Sequence, residues 1–162
     1  MTINNGYTTP SVENVYQLYA DMLYRTAYSL LLSEHDAQDA VAEVFAKYIK
    51  NPPSFNDDEH EKAWLLRVTV NTCKDMCRRR TVRSYTPIDE LAQVLPAEDT
   101  DSKTQVLESV LALEEKYRIC IVMHYFEGFR IEQIAKALGV TKSAVKMRLS
   151  RAREILKKEL AE

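Results

Sequence analysis

The chain has 162 residues, of which 46% are apolar and 28% charged, and its formal net charge is −2. This composition is typical of a globular protein, and apolar runs such as 30–32 are far too short to cross a bilayer. The first eleven residues have neither the basic segment nor the apolar segment of a signal peptide, so we expect a cytoplasmic protein without membrane insertion.

Three helices are predicted in the first half of the chain. Apolar residues recur at three- and four-residue spacings over 11–32, which predicts an amphipathic helix. Ser33 is a suitable N-cap for a second helix, which must end at the prolines 52–53. A third helix is predicted to start at Asp58, whose spacing from Glu61 matches a capping box, and to continue into a cluster of arginines.

A change of composition separates this half from a second helical unit. Residues 84–103 are acidic and poor in large apolar side chains, which predicts a flexible linker with one short helical turn at 88–94. Four further helices are predicted at 105–113, 116–127, 131–138 and 142–160. The predicted fold is therefore all-α. It comprises a tail (1–10), a first domain (11–83), a linker (84–103) and a second domain (104–162).

Charge is segregated along the chain although the net charge is small. Residues 74–83 contain five basic side chains against one acid, and residues 139–162 contain seven against three. Residues 31–62 contain eight carboxylates against three lysines. Such a distribution favours two basic faces for phosphates and one acidic face for a protein partner.

The segment 131–149 has the spacing of a helix-turn-helix. Ala135 is small enough for a close helix crossing, Gly139 permits the turn, and Thr141 is a suitable N-cap for the second helix. A solvated basic face on an ordinary helical hairpin is the alternative, but turn, cap and cations together favour DNA binding. The predicted DNA-reading residues are Thr141, Lys142, Ser143, Lys146, Met147, Arg148 and Arg151.

Taken together, these segments resemble the extracytoplasmic-function sigma factors, the smallest members of the bacterial sigma-70 family. Residues 36–45 are similar to region 2.2 of that family, and residues 63–80 to regions 2.3 and 2.4. Residues 125–135 and 145–153 are similar to region 4.2. The resemblance implies a factor that binds core RNA polymerase, recognises and melts promoter DNA, and initiates transcription.

The resemblance also implies partners for the first domain. Region 2.2 docks on the clamp helices of the polymerase β′ subunit, and the positions that match are Asp39, Glu43 and Phe45. A solvated acidic face is the alternative there, and alanine replaces the usual leucine at 40 and the usual glutamine at 42. For the whole chain the resemblance further implies contact with the polymerase β flap and an anti-sigma factor.

Regions 2.3 and 2.4 engage the −10 element as its strands separate, which implies binding of both double- and single-stranded promoter DNA. Asn71 matches an asparagine at the upstream edge of the melted region, and the loop 53–59 corresponds to the pocket for a flipped base. Lys74, Arg78 and Arg79 share a helical face suited to phosphates. Trp64 could stack on such a base, but its helical spacing favours a core position.

Other chemistries find little support in the sequence. Cys73 and Cys77 lie four residues apart and could form a redox switch, but reduced thiols are the simpler interpretation. No nucleophile–base pair, phosphate loop or metal-ligand spacing is visible, so we expect no enzyme, cofactor or metal. The remaining rivals are a sigma-like adaptor that binds polymerase without opening DNA, and a generic helix-turn-helix regulator.

Overall fold

The computed structural model describes residues 11–79 and 101–161, and within these ranges it contains helices and no strand. The tail 1–10, the short turn expected at 88–94 and almost all of the linker lie outside the described residues. The helices are α1 (Val12–Leu31), α2 (Glu34–Lys50), α3 (Asp58–Arg79), α4 (Asp101–Leu111), α5 (Glu115–Ile121), α6 (Ile131–Leu138) and α7 (Lys142–Ala161).

The first two helices begin and end close to their predicted positions. The Ser11 Oγ accepts a hydrogen bond from the Asn14 amide at 3.4 Å, and the Ser33 Oγ accepts one from the Asp36 amide at 3.2 Å. Ser33 is therefore confirmed as the N-cap of α2. Between the two helices Leu32 adopts a left-handed backbone with φ of 51°, which costs a branched residue roughly 1–2 kcal/mol.

The start of α3 is at the predicted residue, but its cap differs. The carboxylate of Asp57, not of Asp58, accepts the hydrogen bond from the His60 amide at 2.8 Å. Glu61 is fully buried and accepts a hydrogen bond from the Tyr48 hydroxyl at 2.9 Å. Burial and this bond raise the pKa of Tyr48. The prediction that Asp58 caps the helix was wrong, because Asp57 provides the cap.

Helices α1, α2 and α3 pack against one another and form the N-terminal unit, residues 11–79. An aromatic cluster of Tyr48, Phe55 and Trp64, with ring centroids about 6 Å apart, anchors the loop before α3. Trp64 is thus a partly buried core contact, as its spacing predicts. Among the other side chains of this unit that are almost fully buried are Val15, Leu23, Leu31, Leu65 and Leu66.

The C-terminal unit, residues 101–161, departs from prediction in two helices. Helix α4 begins at Asp101, inside the predicted linker, and not at 105. The segment expected as a single helix over 116–127 is α5 followed by a π-helical turn, Val122–Phe126. The Glu127 amide donates to the Val122 carbonyl at 3.0 Å, which is the five-residue spacing of a π-helix. Gly128 follows with a left-handed backbone, at φ of 71°. The widened turn buries Met123 and exposes Tyr125 and Phe126.

The helix-turn-helix of α6 and α7 is confirmed. Gly139 adopts φ of 70°, and the Val140 amide donates to the Ala135 carbonyl at 3.0 Å, which closes the turn. The Thr141 hydroxyl accepts a hydrogen bond from the Ala144 amide at 3.1 Å and caps α7. The two helices share a core of Ile134, Ala135, Val145 and Leu149.

The two units are also in contact with each other. Helix α1 packs against α5 and the π-helical turn, and α3 packs against α6. No periodicity in the sequence predicts this contact, which determines what the candidate site exposes.

Candidate nucleic-acid interface

The exposed side of α7 carries most of the predicted DNA-reading residues. Lys142, Ser143, Lys146, Met147 and Arg151 are all exposed, and so is the capping Thr141. The four residues from Lys142 to Met147 in that set lie within the first two turns of α7, where a recognition helix meets bases and phosphates. The Lys142 amine lies 3.7 Å from the Glu132 carboxylate of α6, so this cation is partly compensated in the absence of DNA.

Arg148 is the exception within this set. It was expected on the exposed face, but the structure places it on the flank of α7, half-buried, beside the thiol of Cys120. Its position follows from helix geometry, because Arg148 lies between the buried residues Val145 and Leu149. With Lys74, Leu138 and Leu30 it lines a cavity of about 490 Å³ between the two units.

The predicted −10 residues follow one side of α3. Asn71 is exposed, and it lies on one helical face with Arg67 four residues before it and Lys74 three residues after it. The Lys74 amine lies 3.5 Å from the Leu138 carbonyl of the C-terminal unit. Arg78 forms an ion pair with Asp75, and the Arg79 guanidinium donates to the Asp75 backbone carbonyl at 3.3 Å. Asp75 therefore orients both arginines.

The loop expected to receive a flipped base is held at both ends. Phe55 is buried in the aromatic cluster, and the Asn56 amide donates to the Nδ1 of His60 at 3.1 Å. At the far end the Glu59 carboxylate accepts a hydrogen bond from the Gln133 amide nitrogen of α6 at 2.9 Å. In this structure one side of the loop therefore faces the C-terminal unit.

The acidic side of α2 presents two of the three predicted docking residues. Asp39 is exposed 3.3 Å from the His35 ring, and Glu43 is half-exposed 3.6 Å from the Lys47 amine. The docking role implied for Phe45 is corrected by the structure. The Phe45 side chain is buried in the core and packs on the Tyr16 ring at 5.0 Å between ring centres, so it is not available to a partner. Its helical position matches the apolar stripe of α2 better than the acidic face.

A groove beside these acids was not anticipated from the sequence. It has a volume of about 460 Å³ between α1 and α2, and Ala42 and Gln38 form part of its floor. The signal that could have indicated it is the alanine at 42, since a small side chain leaves room between helices. Its lining is completed by Tyr16, Ala20, Asp21, Tyr24, Glu34 and Val41.

The thiols give no support to a redox switch. Cys73 is fully buried, and burial raises its pKa to about 12, so the thiol stays protonated and unreactive near neutral pH. Burial also raises the pKa of Cys120, with the Arg148 guanidinium opposing the shift.

Among residues 11–79 and 101–161 no cluster of three or more histidine, cysteine, aspartate or glutamate side chains could hold a metal. Over the same ranges, the helices are too short or too polar to span a membrane.

Comparison with known families assigns both units. The family described as Sigma-70 region 2 matches residues 15–93, and the family described as Sigma-70, region 4 matches residues 103–156. Together the two matches cover most of the chain.

Two curated relatives match nearly the whole chain. The ECF RNA polymerase sigma factor SigE of Mycolicibacterium smegmatis is 31% identical over 161 residues, which cover 94% of this chain and 62% of the relative. The ECF RNA polymerase sigma factor SigW of Bacillus subtilis is 26% identical over 163 residues, covering 91% and 87%. The chain thus spans somewhat under two thirds of the first relative and most of the second.

Solved structures share the fold. The sigma factor RpoE from Bartonella quintana, solved with the anti-sigma factor NepR, has a TM-score of 0.75 at 22% identity, covering 92% of this chain and 96% of that one. CnrH, solved with the cytosolic domain of CnrY, has a TM-score of 0.67 at 23% identity, covering 93% and 87%.

Proposed function

The chain belongs to the extracytoplasmic-function group of the sigma-70 family, and from that premise we propose that it binds core RNA polymerase and directs it to promoters. Residues 11–83 act as region 2 on the −10 element, and residues 104–162 act as region 4 on the −35 element. Residues 84–103 join them. The chain acts as a binding and positioning factor in the cytoplasm and carries no chemistry of its own.

The observation that carries this proposal is the presence of a cationic helix in each unit. Helix α7 exposes Lys142, Lys146 and Arg151 after a capped helix-turn-helix, which is an arrangement for the major groove. Helix α3 places Lys74, Arg78 and Arg79 beside the exposed amide of Asn71. Two cationic sites on one chain fit two promoter elements, whereas a function as a generic helix-turn-helix regulator would explain only the site on α7.

The two cationic helices have different tasks. On α3 the lysine and arginines hold phosphates, while the Asn71 amide can donate to and accept from a base edge exposed by strand separation. Unstacking a base costs a few kcal/mol, and contacts made in the opened state offset it. On α7 the amines of Lys142 and Lys146 contribute salt-dependent affinity, and Arg148 contributes base preference.

The polymerase-docking surface comprises Asp39, Glu43 and the adjoining α1–α2 groove. Carboxylates there fit a basic partner, and the groove accepts an apolar or aromatic side chain next to them. The C-terminal unit contributes a second contact, to the β flap. The solved relatives RpoE and CnrH were captured with an anti-sigma factor and a cytosolic partner domain, and we include an anti-sigma factor among this chain's partners.

Charge reversal on α2 tests the docking surface. Glu43→Lys and Asp39→Lys should each weaken binding to purified core polymerase at least roughly tenfold, because a reversed charge then faces the basic partner. Glu13→Lys is the control, since Glu13 is an exposed acid on α1 outside the groove. Fluorescence titration of the labelled chain with core enzyme measures the affinities.

Two outcomes would contradict the proposal at different levels. Unchanged affinity in both α2 variants would move the docking surface away from α2. Absence of binding by the unmodified chain would contradict a sigma-factor function altogether.

A further inference from the structure

An apolar side chain lies in the middle of the cationic face of α7. Met147 is 49% exposed, and its neighbours in sequence are the cations Lys146 and Arg148. A single exposed apolar residue is common on protein surfaces, so exposure alone says little. The direction in which this methionine projects from the helix says more.

The buried side of α7 defines that direction. Val145, Leu149 and Ala152 are buried and face the core of the helix-turn-helix. Because successive residues of an α-helix are roughly 100° apart, Met147 lies about half a turn from both Val145 and Leu149. Met147 therefore projects directly away from the core, whereas Arg148 lies on the flank of the helix.

Met147 is the centre of a row of three exposed residues. Ser143 lies four residues before it and Arg151 four residues after it, so the three share the outermost side of α7. Lys146 lies at the edge of this row. When the first turns of a recognition helix enter the major groove, its outermost row meets the base edges and its edges meet the phosphates.

The backbone that presents this row is held by contacts within the C-terminal unit. The Thr141 hydroxyl accepts from the Ala144 amide at 3.1 Å and caps α7. The Lys142 amine lies 3.7 Å from the Glu132 carboxylate of α6. Only the rotamers of the methionine side chain remain to be ordered on binding, which lowers the entropic cost of a contact.

The chemistry of a thioether restricts what Met147 can recognise. Methionine has no hydrogen-bond donor and only a weak acceptor, so it cannot pair with the amino, carbonyl or ring-nitrogen groups of a base edge. Covering such groups would leave them without a partner, which is unfavourable. The apolar group that a base edge offers in the major groove is the C5 methyl of thymine. A flexible, polarisable side chain is well suited to pack on it.

We propose that Met147 reads a base: its side chain packs on the C5 methyl group of one thymine in the −35 element and makes base preference there depend on that methyl. The proposal rests on the proposed sigma-factor function, because that function brings α7 to promoter DNA. It adds to Arg148 a second reader of different chemistry, at a different base pair. The same contact accepts 5-methylcytosine, which carries its methyl at the same ring position.

Removal of single methyl groups tests this reader. A preferred −35 sequence is selected from a randomised library with core enzyme and the full-length chain, and each thymine is then replaced singly by deoxyuridine, which lacks only the methyl. At one position binding should weaken about fourfold, the equivalent of one buried methyl group. Met147→Ala should bind the thymine and deoxyuridine promoters equally at that position. Met147→Leu, which keeps an apolar side chain, should retain the preference.

Addition of a methyl group provides the converse test. With cytosine at the same position, methylation to 5-methylcytosine should strengthen binding by about the same fourfold factor, and Met147→Ala should abolish the gain. Leu160→Ala is the matched control, since Leu160 is another exposed apolar residue of α7, 38% exposed in its last turn. This control should keep the full difference between thymine and deoxyuridine. Circular dichroism checks that each variant is folded.

Two results would overturn the reader. One is equal binding of every deoxyuridine promoter by the unmodified chain with core enzyme. The other is a deoxyuridine penalty that persists unchanged in folded Met147→Ala, which would assign the methyl to another residue.

The reader and the sigma-factor function can fail separately, because the same selection and substitutions are repeated with the chain alone at low salt, where phosphate contacts are strongest. A methyl-dependent chain that never binds core enzyme would contradict the sigma-factor function alone. A chain that directs core enzyme to promoters but ignores every thymine methyl would contradict the reader alone. A chain that binds no DNA in either format would contradict both.

Discussion

Two cations of the recognition helix, Lys142 and Arg148, have different surroundings and should have different roles. Lys142 is exposed at the first turn of α7 and faces solvent beside Glu132. Arg148 is half-buried next to Cys120, so its guanidinium is held in a defined position rather than free to rotate. A mobile amine is suited to phosphates, and a positioned planar fork is suited to a guanine edge.

We predict that Arg148→Ala relaxes base preference at one position of the −35 element, at a cost of roughly 1–3 kcal/mol on the preferred sequence. Lys142→Ala should weaken all sequences about equally and lower the steepness of the salt dependence by about one counterion. Selection of holoenzyme-bound promoters from a randomised library measures both effects. If Arg148→Ala lowers the free energy of unfolding but leaves base preference intact, Arg148 is structural.

At the scale of single residues, the sequence predicts which polar side chains are exposed better than it predicts which side chains are buried by a distant partner. Charge and spacing correctly placed Lys142, Lys146 and Asn71 on exposed helix faces, because isolated polar positions on a helix are normally solvated. The docking role implied for Phe45 and the capping role predicted for Glu61 did not take account of burial, since both side chains are buried against the partners Tyr16 and Tyr48 from elsewhere in the fold. A helical period specifies a face, but not what covers it.

The stability of an individual helix depends on the residues at its ends, and Gly139 in the turn of the helix-turn-helix is the clearest example. Gly139 has φ of 70°, and a Cβ added there would meet no atom within 4 Å. Gly139→Ala should therefore destabilise the fold by about 1 kcal/mol through backbone strain alone, since a Cβ makes this left-handed conformation unfavourable for alanine. Denaturant unfolding measures the change in free energy.

Gly139→Asn is the matched control, because asparagine tolerates the left-handed region and should lose less stability than alanine. Equal stabilities for the glycine and alanine proteins would show that the turn does not require a positive φ.

Helix boundaries set by a local signal were predicted well, and those set by longer-range bonding were not. Ser33, Thr141 and Gly139 act on the amides and backbone angles beside them, so a short window of sequence contains the information. The π-helical turn Val122–Phe126 was missed because it widens to bury Met123 and direct Glu127 toward Arg25 in the other unit. A window of local sequence does not contain that partner.

The whole molecule combines two helical units. Their order and identity could be predicted from the sequence, but the way they pack against each other could not. Each unit has its own apolar stripes, and stripes are visible in the sequence. The contact between the units uses single polar ties such as Arg118 to a backbone carbonyl, and such ties have no period and no motif.

Promoter opening tests the central claim, that this chain enables core polymerase to melt DNA through region 2. Permanganate reactivity of −10 thymines should appear on a selected duplex promoter only when core enzyme and the chain are both present. Asn71→Ala should reduce that reactivity while leaving closed-complex formation largely intact, because the lost hydrogen bond forms mainly in the opened state. A pre-melted bubble template should restore much of the signal, since its unstacking cost is already met. No reactivity with the unmodified chain, or normal opening of the duplex by the folded Asn71→Ala variant, would contradict the account.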